Sequence, residues 1–241
     1  MLSVPVGAVR TFGGRVVCDD HGMTTAVYLE LGRQRVFACA LDWPGWCRSG
    51  KTEELALETL AAYAPRYAPV AERAGIAFPA GAGDAPRVVE RLPGSGATDF
   101  GVPEKVASGD AEPLGGRDAE RQAALVTAAW ALFDEVVAGA PAELRKGPRG
   151  GGRDRDKMVD HVLGAEAGYA RRLGVKQRPP AIDDPAAIAA LREAIVAVLR
   201  QPSDGTPPVP KGWPPRYAAR RVAWHVLDHA WEMQDRSSPA G

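Results

Sequence analysis

The chain has 241 residues, enough for one large domain or two small ones, and its 45% hydrophobic and 25% charged content is ordinary for a globular protein. Lysine plus arginine and aspartate plus glutamate number 30 each, and a formal net charge of zero argues against a general nucleic-acid binder. No apolar run approaches the roughly 18 residues of a membrane span, and the opening MLSVPVGAVRTFGG lacks a basic region followed by an apolar core, so the expected location is the cytoplasm.

In chain order, residues 1–22 are poorly patterned and read as an N-terminal extension; His21, beside Asp19 and Asp20, reads as a surface residue. From Ala26 the pattern turns β-like, with AVYLEL and then RVFACAL around Gly32. DWPGWCRSG follows as a turn broken by Pro44-Gly45. Thr52 then opens a helix with acidic residues in its first turn, and Pro65 and Pro69 predict that this helix is kinked or split. RVVERLPG adds one more strand. Cys18, Cys39 and Cys47 form no Cys-x-x-Cys pair, and their odd number makes a poor disulfide framework. They fit reduced, structural thiols better than a metal pair.

The segment LDWPGWCRSGKTEELALETL resembles the HicB-like antitoxin fold, in which a strand, a Pro-Gly turn and a Thr-Glu-Glu-type helix start follow one another. The resemblance covers about forty residues and implies a small α+β module, residues 23–92, that binds a protein partner. The chain departs from that family in lacking its separate DNA-binding domain.

Residues 93–117, rich in Gly, Pro and polar side chains, read as a linker. Four amphipathic helices are predicted after it. The first runs over 118–137, the second from 156 to a stop at Gly174, and the third from Asp184-Pro185, an N-cap followed by proline at the first helical position. The fourth, over 214–236, follows the Pro-rich stretch QPSDGTPPVPKGWPP. With no strand signal between them, an antiparallel four-helix bundle over 118–237 is the expected architecture, making the fold class α+β. The basic, glycine-rich LRKGPRGGGRDRDK between the first two helices reads as a solvated loop.

The chemistry concentrates on the last helix. His225 and His229 lie four residues apart, which stacks two imidazoles on one helical face within reach of a single ion. His161, on the second bundle helix, supplies a third neutral nitrogen, a donor count that leaves positions open for water or substrate. Glu232, three residues past His229, shares that face as a hydrogen-bond partner of a ligand, a further ligand, a general base or a solvated charge. Asp228 points away from the pair and suits a salt bridge; Tyr169, Trp224 and Trp231 suit packing.

MVDHVLGAEAGYARRLG and WHVLDHAWEMQDR together resemble the DinB-like superfamily, including the mycothiol-dependent maleylpyruvate isomerases, over residues 118–236. The resemblance implies a four-helix bundle binding a divalent metal, zinc or nickel, through His161, His225 and His229. It also implies a thiol S-transferase or isomerase activity with a low-molecular-weight thiol such as mycothiol, a small-molecule substrate, and often a homodimer, although the N-terminal module could cover the usual interface. The alternative from another class is a non-catalytic metal-binding or partner-binding protein.

Overall fold

The computed structural model describes residues 24–84, 86–147 and 151–237. Met1–Met23 lie outside them, so the expectations for the N-terminal extension, Cys18 and His21 do too. The described residues form a mixed α and β structure of four strands and seven helices.

Two strands open the fold, β1 (Ala26–Leu31) and β2 (Val36–Ala40), as their runs of β-branched and aromatic residues predict. The expected turn after them holds a third strand, β3 (Cys47–Gly50), antiparallel to β2. Its CRSG composition gives no strand signal; pairing with β2 makes it one. Thr52 caps α1 (Glu53–Ala62), its side chain accepting from the Leu55 backbone. Pro65, with no N–H to continue the ladder, ends that helix, and the chain restarts as α2 (Ala64–Arg73). Strand β4 (Arg87–Pro93) returns parallel to β1, giving the order β3-β2-β1-β4.

Period-2 alternation sends the two faces of the sheet into different surroundings. Val27, Leu29, Val36 and Ala38 face the main core with residues of the helices. Tyr28, Phe37, Cys39 and Cys47 face a smaller cluster with Ala107 and Trp224.

The expected linker is not a free tether. It contains α3 (Gly96–Phe100) and a 3-10 turn at Ser108–Ala111, and it buries Thr98, Ala107, Asp110 and Leu114. Two carboxylates pin it. The buried Glu30 of β1 accepts from the Thr98 hydroxyl and the Lys105 backbone, while Asp110 accepts from the Ala107 backbone at 2.7 Å and pairs with the buried Arg220. Several of its glycines stand in or at the ends of its short helices, Gly101 closing α3 at φ +112°.

Four long helices follow: α4 (Gly116–Gly139), α5 (Arg155–Arg172), α6 (Pro185–Leu199) and α7 (Pro215–Ser237). Asp184 caps α6 by accepting from Ala187, with Pro185 at the start, and Gly174 at φ +87° follows the end of α5. The broadest helix contact is α4 on α7, and α6 touches α4, α5 and α7. Among the described residues, no helix is long and apolar enough to cross a membrane.

The sheet and these helices meet at α7. Gly45, at φ +93° in the Pro44-Gly45 turn, lies against it so closely that a Cβ would come within 2.6 Å of the Leu227 side chain and 3.1 Å of the Ala223 backbone. Beside this contact Trp46 stacks on Tyr67, donates its indole N–H to the Leu60 carbonyl, and is 1% exposed. Gly45→Ala therefore combines left-handed strain with overpacking and is expected to destabilise the fold by about 2 kcal/mol or more, read as a lowered urea midpoint.

Candidate functional site

Helix α7 is buried almost all round: 15 of its 23 residues are inaccessible, too many for one face. A polar group on it that lacks a partner within the protein is therefore costly.

The three sequence-predicted histidines come together. His161 from α5 and His225 and His229 from α7 hold their potential ligand atoms within 4.8 Å of one another, the only group of three or more such donors among the described residues. The Nε2 atoms of His161 and His225 are 3.2 Å apart. Two nitrogens bound tetrahedrally to one ion at 2.0–2.1 Å sit roughly 3.3 Å apart, so this separation fits a shared metal. His225 is 6% and His229 9% exposed, and His161 is the more accessible of the three.

Glu232 orients rather than joins the cluster. One carboxylate oxygen meets His229 Nδ1 at 3.1 Å and the other accepts from Arg236 at 2.7 Å. With Nδ1–H donated to the carboxylate, the Nε2 lone pair of His229 is left for an ion. These hydrogen bonds, that from His229 foremost, hold the Glu232 carboxyl below the usual range. The corresponding Nδ1 of His225 is buried without a partner. Tyr169 packs its ring on His225, with centroids 5.6 Å apart, and stacks against Trp213 on its other side.

The remaining candidates fall elsewhere. Asp228 forms a salt bridge at 2.9 Å with Arg48 of β3, whose guanidinium lies 4.1 Å over the Tyr63 ring. Glu166, also on α5, faces away from the histidines: buried, it accepts from the Trp130 indole at 2.8 Å and pairs with Arg192 at 3.3 Å. Trp224 packs edge-on against Phe37.

A cleft of about 340 Å³ adjoins the cluster, with Arg35, Arg48, Asp228, Trp231, Glu232 and Arg236 among its lining. Glu232 thus belongs to both the cleft wall and the histidine network. Arg48 was invisible to sequence reasoning, since nothing in CRSG links it to a helix 180 residues away. Arg236 was legible, standing four residues past Glu232 on the same helical face. The described part of the basic loop is docked as well: Arg145 donates its backbone N–H to the Arg236 carbonyl, and Arg236 Nε donates to the Arg145 carbonyl.

Burial foremost, then His229 and Arg153, lowers the pKa of His161 from its ordinary value, and burial with His229, His161 and Arg221 lowers that of His225 well below it. Neutral imidazoles are the metal-binding form. No protein-family model, curated protein or solved structure matches this chain. The class of the site therefore rests on its own donors, a cluster of three imidazoles with one ring held by a carboxylate.

The depressed histidines also set a sign for stability. Below about pH 6.5 the unfolded chain binds protons that folded His161 and His225 refuse, so the unfolded state gains and stability falls as pH drops. Metal-free protein is expected to lose urea stability between pH 7 and pH 5.5 and to keep this contribution at higher pH. The loss should shrink in His225→Ala; an unchanged loss in that variant would place the acid sensitivity elsewhere.

Proposed function

We propose that the chain binds a divalent transition metal, zinc or nickel, through His161, His225 and His229, and acts as a metal-dependent enzyme of the thiol S-transferase or isomerase type. The observation that carries this is the convergence of three imidazoles, with Glu232 fixing the ring of His229 and Arg236 fixing Glu232. The resemblance of the α5 and α7 sequences to the DinB-like superfamily supports both the ligand set and a bundle arrangement of α4–α7. A metal there would supply Lewis acidity, favouring the ionised form of a thiol or water presented to it.

The chain's own groups divide the remaining work. Glu232 keeps His229 in one tautomer and faces the cleft, where its carboxylate can also accept a proton from a bound group. Arg35, Arg48 and Arg236 share the cleft wall with Asp228, Glu232 and Asp235, a mixed-charge lining that suits a small polar substrate or low-molecular-weight thiol. A second reading, a metal that is held without chemistry, draws on the burial of His225 and His229. The two separate on adding a thiol to cobalt- or nickel-loaded protein, where only the open site changes the metal's absorption spectrum. Partner binding through a HicB-like module of residues 23–92 is independent of the histidines and should survive their removal.

The deciding measurement is elemental analysis of untagged protein. About one zinc or nickel per chain is expected in the wild type and near none in His225→Ala/His229→Ala. No metal in either, even after reconstitution, would overturn the proposal. Glu232→Gln should retain the site but weaken metal affinity about 10–100-fold, measured by competition with a chromophoric chelator.

A further inference from the structure

The metal proposal leaves one reactive pair unused. Cys39 of β2 and Cys47 of β3 are register partners across the antiparallel ladder, so their side chains leave the same face of the sheet directly opposite each other. Their sulfurs are 2.7 Å apart, roughly 0.7 Å beyond a disulfide bond length, and both are free thiols. They are 3% and 5% exposed. Among the described residues the only group of three or more metal donors is the histidine cluster, so no further ligand joins these two sulfurs to make a metal site.

Beside them lies a small cavity of about 20 Å³, with room for one water-sized molecule. Tyr28, Trp224 and Arg220 line it together with both cysteines. Arg220 is buried, and its Nε has no hydrogen-bond partner although its Nη2 is paired with Asp110. The thiolate is the form that reacts with oxidants.

We propose that Cys39 and Cys47 are a reversible oxidation site, closing to a cross-strand disulfide with a small peroxide as oxidant. One thiolate attacks a peroxide oxygen; the O–O bond breaks, water leaves, and the sulfur becomes a sulfenic acid. The second thiolate then attacks that sulfur, the S–O bond breaks, and a second water leaves as the S–S bond forms. The thiols together lose two electrons and two protons, and the peroxide gains them. The small cavity selects the oxidant by size. Burial pushes the Cys47 thiol up, so the reaction quickens with rising pH. Because the strands already hold the sulfurs in register, closure requires no rearrangement of the ladder.

The sequence provides a clean readout. Trypsin cleaves after Arg35 and Arg48, so both cysteines fall in the one peptide VFACALDWPGWCR. The full native chain is treated with hydrogen peroxide, quenched in acid, denatured, alkylated and digested. The expected result is that this peptide escapes alkylation at both cysteines and is lighter by two hydrogens, and that dithiothreitol before alkylation restores two labels. In Cys39→Ser, Cys47 should instead accumulate as a sulfenic acid trapped by dimedone. Two labels on the wild-type peptide, at a peroxide dose that oxidises an exposed-thiol control protein in the same tube, would overturn the proposal. Irreversible oxidation of either sulfur without a cross-link would overturn it equally.

Discussion

A helix enclosed on most of its surface makes every unpaired polar group costly, and this constraint on α7 shapes the rest of the protein. Its apolar residues fill the shared core, while several of its charged ones pair with segments outside the helix. Arg220 recruits Asp110 from the segment after the sheet, and Asp228 recruits Arg48 from β3. Glu232 and Arg236 then tie the last turns to His229 and to the loop before α5. Breaking the Arg220–Asp110 pair, the buried one among these, leaves an isolated charge in a poorly solvated place, a larger cost than the pair's own net contribution.

The same constraint explains why the histidines are suitable for ligation. Burial disfavours the protonated forms of His161 and His225, which keeps the lone pairs of those two rings available. His225 lies deepest, against Tyr169, and His161 sits toward the accessible side. The sheet contributes one wall of the neighbouring cleft through Arg35 and Arg48, and Glu232, on the same cleft wall, connects that cleft to His229.

Much of this was legible in the sequence because it rests on local periodicity. The strands β1 and β2, the break at Pro65, the four long helices and the His225–His229 spacing all follow from patterns within a few residues. What was not legible depends on partners distant in the chain. Strand β3 exists because β2 offers it a ladder. The Gly- and Pro-rich stretch before α4 is packed because Glu30 and Arg220 anchor it. Glu166 lies on the same helix as His161 yet serves Trp130 and Arg192, a direction that only the packed arrangement of α4 and α6 defines. His161 was found by counting rare residues; its meeting with the α7 pair is a tertiary fact.

The parallel pairing of β4 with β1 bears on how the chain acquires its fold. Val27 lies opposite Val88, about 60 residues later, with β2, β3, α1 and α2 in between. Closing so long a loop costs chain entropy that local hairpins do not face, and distant pairings of this kind slow folding. The β1–β2–β3 meander can assemble early from near neighbours, whereas β1 keeps one edge unpaired until the two helices have formed and turned the chain back. During that interval its exposed ladder is the surface most open to pairing with another molecule, so the stretch Ala26–Leu31 is where slow refolding and self-association compete.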